Sequence, residues 1–468
     1  MKEVKLEKVL IEEKGSRAEQ IRLVLALSLP AILAQLTSIA MQYIDAGMVG
    51  RLGANATAAI GLVSTTTWLI GGTCIGISAG FYVQVAQLIG ARREKEATDV
   101  FRQAITMILI LGLIIGSVGV AISGGLPVWL GGAEEIRKEA TVYFLIYSLS
   151  IPFSMMRQLS AGMMQSSGDM KTPSILSAAV CILDVIFNFF LIFPSRHINM
   201  AGFSLFVPGA GLGVKGAALG TTLSDIVIAL IMFYAVAFRN KKISLKTGGS
   251  WRWNKKTIVT AFKIAVPMSF DQFFMCSAYV AGTFIIAPLG TVVVAANTLA
   301  ITAESLCYMP GYGIGAAATA IIGQTIGAAR KDLTKSFSRV SVYMAMALMG
   351  ATAVFMYILA PFAFSLLTSD PEVAALGTKV LRMELIAEPL YGASICCAGV
   401  FRGAGDTLRP SILNLVSMWG VRILLAAILV PHLGLEGYWI AMAIELCFRG
   451  IIFLIRLYRG KWMKKAVI

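Results

Sequence analysis

An all-α membrane protein is the fold class this sequence predicts, with twelve transmembrane helices in two pseudo-symmetric six-helix bundles. Three observations predict it. First, the chain repeats itself. Leu52-Gly53, Ala58-Ala59, Leu62, Gly76-Ile77, Gln87, Gly90-Ala91 and Arg93 recur as Leu289-Gly290, Ala295-Ala296, Leu299, Gly313-Ile314, Gln324, Gly327-Ala328 and Arg330, each pair offset by 237. Second, 57% of the residues are hydrophobic and only 14% charged, with a mean hydropathy of +0.79, outside the range of soluble domains. Third, apolar stretches long enough to cross a bilayer recur along all 468 residues.

The spans fall near 23–48, 57–88, 103–123, 140–164, 174–194 and 216–238 in the first half. Those of the second half fall near 258–287, 293–325, 340–360, 374–400, 411–431 and 437–455. Each is too long for a barrel strand, and the alternation a barrel needs is missing. The segments that follow are a lead-in (1–22), an N-terminal bundle (23–239), a basic linker (240–256) and a C-terminal bundle (257–468). The lead-in mixes Glu with Lys and Arg and has no apolar core, so it does not read as a signal peptide.

Charge placement sets the orientation. With both termini cytoplasmic, the inner side collects 29 of the 40 Lys and Arg, the outer side five (Arg51, Arg137, Lys138, Arg196, Lys215), and six fall within spans. That bias places the chain as a multi-pass protein of the inner or plasma membrane by the positive-inside rule. It also accounts for the net charge of +15 without a nucleic-acid partner. The seven cysteines all lie in spans, so no disulfide framework or zinc site is expected. His197 and His432 fall in outer loops, and no carboxylate–His pair has metal-ligand spacing.

The run Ala295-Ala296-Asn297-Thr298-Leu299, with Glu304-Ser305-Leu306, Met309-Pro310-Gly311 and Gly323-Gln324, resembles the multidrug and toxic-compound extrusion (MATE) transporters. So does a duplicated Gly-Asp-x-x-x-Pro, read as Gly168-Asp169…Pro173 and Gly405-Asp406…Pro410. The resemblance covers almost the whole chain. It implies a V-shaped pair of bundles with alternating access, acting as a monomer and exporting amphipathic, cationic compounds against protons or sodium, with no bound cofactor. The repeats are parallel, because six spans return the chain to its starting side.

An ionised side chain at bilayer depth costs roughly 2.5–3.5 kcal/mol on insertion scales, so each acid inside a span needs a reason. Asp45 lies in the outer half of the first span, fifteen residues after Pro30, whose ring frees a backbone carbonyl and gives the helix a point to bend. The resemblance implies a coupling-ion acid and a proline at these positions. Asp184 and Asn188 share a face of the fifth span, and Thr221 and Asp225 share one of the sixth. The resemblance implies that Asp184 and Asn188 lie close to the first-span acid, where these side chains would form an oxygen-rich cluster able to hold one sodium ion or share protons. A neutral polar residue is what the resemblance implies at Asp225, and Arg157 offers it an ion pair instead.

The second half carries Asp271, four residues after Pro267, together with Glu304, Glu384 and Glu388. These carboxylates suit a cavity for cationic substrates or protons, while Lys263, Lys379, Arg382 and Arg422 are available as plain partners. Glu445 and Arg449, at i and i+4, read as an intrahelical ion pair outside the site.

The Gly-Asp-x-x-x-Pro motifs fall at the cytoplasmic turns after the fourth and tenth spans. There Gly168 and Gly405 permit unusual backbone angles, Asp169 and Asp406 cap the following helix, and Pro173 and Pro410 start it. Two other classes remain in view. A flippase for lipid-linked precursors needs several bases in its cavity, whereas the first half has only Arg157 inside a span. A membrane enzyme needs clustered Asp-rich or His/Arg motifs, and the sequence shows none.

Overall fold

The computed structural model describes residues 16–200, 203–246, 248–464 and 467–468, so most of the lead-in lies outside the described residues. The first helix, Arg17–Gly50, begins before the expected end of that lead-in at residue 22. It starts on a capping box: the Glu19 amide donates to Ser16 Oγ (3.2 Å) and the Ser16 amide to Glu19 Oε2 (2.9 Å).

Twelve helical segments follow the expected spans. The first bundle comprises Arg17–Gly50, Ala54–Gly90, Glu94–Ile122, Glu134–Ser166, Lys171–Leu191 and Val214–Tyr234, the last extended by one π-helical turn, Ala235–Arg239. The second comprises Lys255–Ile286, Thr291–Gly327, Lys331–Leu367, a broken pair (Pro371–Glu384 and Glu388–Gly403), Leu408–Leu433 and Leu435–Arg459. Among the described residues nine helices are long and apolar enough to cross a bilayer by themselves, and the broken pair makes a tenth. The remaining two, the fourth and twelfth spans, carry Arg157 or the Glu445–Arg449 pair among their apolar residues and complete the twelve.

Three features depart from expectation. The tenth span is not one helix: its two pieces meet at 62°, with Glu384 and Glu388 on either side of the break and Pro389 just beyond. A prolyl ring denies the helix an amide donor at that point. The chain is also not purely helical, because an antiparallel hairpin, β1 (Pro194–Met200) and β2 (Phe203–Ala210), joins the fifth and sixth spans. Finally, His432 sits in the last turn of the eleventh span rather than in a loop.

The hairpin explains where the repeat loses its register. Before it, equivalent residues share backbone geometry at an offset of 237. Gly53 and Gly290 have φ of 110° and 106°, Gly168 and Gly405 of 93° and 79°, and even the non-glycines Arg92 and Ala329 match at 59° and 56°. After it, Gly213 and Gly434, which begin the sixth and twelfth spans with φ of 56° and 59°, are 221 apart. The difference is the hairpin, which the second half lacks. One residue returns the other way through a π-helical turn, Met418–Ile423, inside the eleventh span.

The two halves meet at the end that carries the basic residues. The second span packs against the seventh and the eighth against the first, and the second and eighth pack against each other. Gly76 faces Met268 and Ser269 of the seventh span, and its copy Gly313 faces Ile32 of the first, just past Pro30. Pro30 does not end its helix, which continues to Gly50. Nearer the basic end, a Cβ on Gly90 would overlap the Gln324 carbonyl, and one on Gly327 the Gln87 carbonyl. Only hydrogen fits at either crossing.

The same two glutamines bind across the seam. Gln87 Nε2 donates to the Gly403 carbonyl (3.1 Å), and Gln324 Nε2 donates to the Ser166 carbonyl (2.7 Å). Donors and acceptors are each 237 apart, so the pair is reciprocal about the pseudo-two-fold. Further toward the opposite end, Tyr43 Oη donates to the Thr302 carbonyl (2.8 Å).

A leucine at Gly327 would drive its side chain into the Gln87 backbone, an overpacking that costs about 1–3 kcal/mol. Gly327→Leu is therefore expected to shift the population toward separation of the basic ends by tenfold or more. Electron–electron resonance between spin labels at positions 92 and 329 would read this as a longer distance. An unchanged distance distribution would count against the seam as described.

Candidate functional site

In the first half, the fifth span brings Asp184 and Asn188 onto the face that meets the first and sixth spans. Asn188 Nδ2 donates both to Asp45 Oδ1 (3.0 Å) and to Asp184 Oδ2 (3.0 Å), bridging two carboxylates. Asp184 and Asn188 are fully buried, while Asp45 is half-buried. Gly220 of the sixth span makes room for the amide, since a Cβ there would overlap Asn188 Oδ1. That oxygen is buried and has no hydrogen-bond partner. A buried acceptor without a donor costs about 1–3 kcal/mol, and an arriving cation or proton would recover it. Among the described residues no ion pair involves Asp45 or Asp184.

The other two members of the expected cluster have different bonding partners. Asp225 forms an ion pair with Arg157 (2.5 Å) and accepts a hydrogen bond from Ser154, so its charge is neutralised within the bundle. The plain alternative is the observed one, and Asp225 is corrected out of the cluster. Thr221 contributes its carbonyl, which accepts from Ser224 Oγ (2.9 Å), and it is Ser224 whose hydroxyl reaches Asp184 Oδ1 at 3.5 Å. Ser224 was not legible as a member because Thr221 and Asp225 hold the i, i+4 spacing around it.

In the second half, Glu304, Glu384 and Glu388 converge, each offering a carboxylate oxygen within 4.8 Å of the others. Their positions come from the eighth span and from the two pieces of the broken tenth span. All four carboxylate oxygens of Glu384 and Glu388 are buried without a hydrogen-bond partner. Three of the four bases expected as partners are engaged elsewhere: Lys379 pairs with Glu436 (2.5 Å), and Arg382 donates to the Tyr357 carbonyl (3.0 Å), while Lys263 is exposed. Arg422 pairs with Glu445 (2.6 Å). Asp271 stands apart from the triad and accepts from Asn414 Nδ2 at 3.1 and 3.2 Å.

Glu445 does form the intrahelical pair with Arg449 (2.7 Å), but it is also clamped by Arg422 from the eleventh span and by Ser417 Oγ (2.5 Å). A small cavity of about 20 Å³ beside this clamp is lined by Arg422, Arg449, Glu304 and the tyrosines 279, 308, 391 and 438.

The two bundles use equivalent positions differently. The copies of Asp45, Asp184 and Ser224, allowing for the hairpin and the π turn, are Gly282, Arg422 and Glu445. Where one half holds two unpaired acids, the other holds a closed ion pair. Conversely, Glu304 and Glu384 are the copies of Thr67 and Tyr147, which in the first half satisfy each other through a Tyr147 Oη bond to the Thr67 carbonyl (2.9 Å).

At the turns, Asp169 Oδ1 accepts from the Thr172 amide (3.0 Å), as expected for a cap. Asp406 is buried and its carboxylate is paired with Arg456 of the twelfth span. Gln87 and Gln324, whose carbonyl targets lie beside these turns, recur in the repeat, and that recurrence was the available signal for them.

A duplicated twelve-span bundle with acids buried in each half is the architecture of a membrane transporter. The MatE family model matches residues 30–190 and 267–428, one match in each half, and the chain belongs to that family. A probable multidrug resistance protein NorM of Thermotoga maritima is 25% identical over 448 residues, covering 94% of this chain and 93% of its own. The uncharacterized transporter YisQ of Bacillus subtilis is 26% identical over 428 residues, covering 90% and 91%. Among solved structures, the outward-facing conformation of a multidrug resistance MATE family transporter superposes with a TM-score of 0.87 at 22% identity, covering 99% and 100% of the two chains. A MOP superfamily transporter from Pyrococcus furiosus, described as having a binding pocket of reversed polarity, superposes at 0.86 with 21% identity, covering 99% of this chain and all of its own. These structures share the fold.

Two substitutions separate structural from exchangeable acids. Glu445→Gln would leave Arg422 and Arg449 buried without the carboxylate they are bonded to, a loss of about 3–5 kcal/mol. Thermal unfolding in detergent is expected to show a drop of many degrees for Glu445→Gln and none for Glu384→Gln. Equal losses for both would contradict the assignment.

Proposed function

We propose that this chain is a secondary antiporter that exports amphipathic organic cations in exchange for protons or sodium, with Asp45, Asp184 and Asn188 as the coupling centre. The observation that carries the reading is the orphaned Asn188 oxygen between two unpaired carboxylates, one buried and one half-buried. Two carboxylates bridged by one amide can share a proton, or with Asn188 Oδ1 and Ser224 Oγ supply oxygens to a sodium ion. Partial exposure of Asp45 gives the ion a way in. Multidrug resistance is also what the names of several relatives state.

Glu304, Glu384 and Glu388 supply negative charge in the other half, at a broken helix of the kind that forms substrate and ion sites at the midplane of transporters. Their excess over free bases favours cationic cargo. The flippase alternative asks for free bases around a central cavity, and the deepest candidates, Arg422 and Arg449, are both spent on Glu445. The positive-inside bias makes the basic end cytoplasmic. In this reading the Gln87 and Gln324 seam, with the Gly168–Pro173 and Gly405–Pro410 turns beside it, is the cytoplasmic gate, and the bundles rock about the 240–256 linker.

Asp45→Asn is expected to abolish dye efflux from cells while leaving the protein in the membrane at wild-type levels. Efflux at the wild-type rate from Asp45→Asn cells would sink the assignment. In sealed vesicles with separate pH and sodium gradients, whichever gradient drives uptake identifies the ion.

Cargo charge is tested by comparing ethidium with an anionic dye of similar size. Export of the cation at least tenfold faster is the expected result. Equal or faster export of the anion would favour a different cargo class.

A further inference from the structure

We propose that a cavity at the basic end, between the inter-bundle linker and the third span, is a binding site for the headgroup of an anionic phospholipid of the adjacent leaflet. The inference rests on the chain spanning a membrane with this end cytoplasmic, and not on what it transports.

The linker is stitched along one stripe of the third span. The Ser250 amide donates to Asp99 Oδ1 (2.9 Å), the Asn254 amide to Gln103 Oε1 (2.9 Å) and Trp253 Nε1 to Thr106 Oγ1 (3.1 Å). Positions 99, 103 and 106 are spaced i, i+4, i+7, which is one face of a helix. Between the linker, this stripe and the ends of the second and seventh spans lies a cavity of about 540 Å³. That volume accommodates a phosphodiester headgroup.

The charges on its wall do not cancel. Glu96 is neutralised by Arg93 (2.6 Å), and Asp99 by Arg102 (2.9 Å) and the Ser250 amide. Arg252, Lys255 and Lys256 also line the cavity, together with Val467 and Ile468, and among the described residues the Ile468 terminal carboxylate is the one further anion on its wall, so the cations there outnumber the anions left to pair with them. An excess of two cations around a cavity recruits an anion.

The depth of the cavity identifies which anion. Trp253 is half-exposed and anchored to Thr106, a turn beyond the start of the expected span at residue 103, and Trp251 beside it is also half-exposed. Paired tryptophans flanked by arginine and lysine are the composition of a membrane–water interface. The cavity therefore opens where phospholipid headgroups lie, and basic clusters at the cytoplasmic surface attract anionic ones at roughly 1 kcal/mol per residue. Its wall includes Gln84 of the second span, which donates to the Thr257 carbonyl of the seventh (3.1 Å), so a bound headgroup would touch both bundles at their seam.

The test is native mass spectrometry of the purified full chain in mixed micelles. Three arms are needed: phosphatidylglycerol, phosphatidylcholine, and phosphatidylglycerol challenged with millimolar inorganic phosphate. Wild type is expected to retain phosphatidylglycerol over phosphatidylcholine through the phosphate challenge. The triple variant R252Q/K255Q/K256Q is expected to bind phosphatidylglycerol about a hundredfold more weakly. A charge-matched control, K331Q/K335Q/R409Q, is expected to bind as wild type. Should the triple variant fold poorly, Arg252→Gln alone, read by the phosphatidylglycerol-induced rise in melting temperature, replaces it, with a smaller rise expected. Undiminished binding by the triple variant, or an undiminished rise for Arg252→Gln, overturns the proposal. So does an equal loss in the control, which would mean bulk charge, or displacement by inorganic phosphate, which would mean a soluble-phosphate site. Lipid binding is read without transport, so a chain that binds lipid but expels no cation overturns the functional reading and leaves this one standing.

Discussion

A charge inside a bilayer has to be matched, and the way each acid within the spans is matched organises this molecule. Glu445 is closed off by two arginines and a serine, and Asp225 by Arg157 and Ser154. Those acids hold helices together. Among the described residues, Asp45, Asp184, Glu384 and Glu388 have no cationic partner, and around them lie buried oxygens without hydrogen bonds, Asn188 Oδ1 and the Glu384 and Glu388 carboxylates. Because hydrocarbon offers no water to make up the difference, an acid left open in this way stays there only with an ion or a proton as its partner.

The duplication supplies the frame on which these roles are distributed. The seam glycines, the reciprocal glutamines and the left-handed residues at the turns are retained in both copies, because both halves must meet the other by the same backbone contacts. The polar positions are free of that constraint and have diverged: an acid and a serine in one half stand where an arginine and a glutamate stand in the other. The result, among the described residues, is one set of acids without a cationic partner in each bundle, in different company.

Most of the fold is legible in the sequence, because a bilayer demands long apolar helices and a repeat in exact register reveals the duplication. The candidate acids are legible for the same reason: in a span, an Asp or Glu stands out. What the sequence does not disclose is pairing. Arg157 and Arg422 are equally available to several acids by spacing, and only the packing of the fourth against the sixth span, and of the eleventh against the twelfth, decides that they go to Asp225 and Glu445. The break in the tenth span is half-signalled by Pro389, but a proline alone kinks a helix more often than it interrupts one. The hairpin from Pro194 to Ala210 hides among residues that also read as a loop, though the slip of the repeat from 237 to 221 beyond it was present in the numbering.

The reciprocal glutamine bonds have a kinetic consequence. Each half is donor in one bond and acceptor in the other, so the two sit as mirror duties on either side of a single axis. Any parting of the two halves at this end would lengthen both at once, and with both gone two amide groups and two carbonyls would face each other unsatisfied until water entered. A partly parted seam therefore lies uphill of both the shut and the flooded arrangement. Such a contact passes between its extremes by a jump, giving the protein a threshold where a greasy interface alone would give a gradual slide.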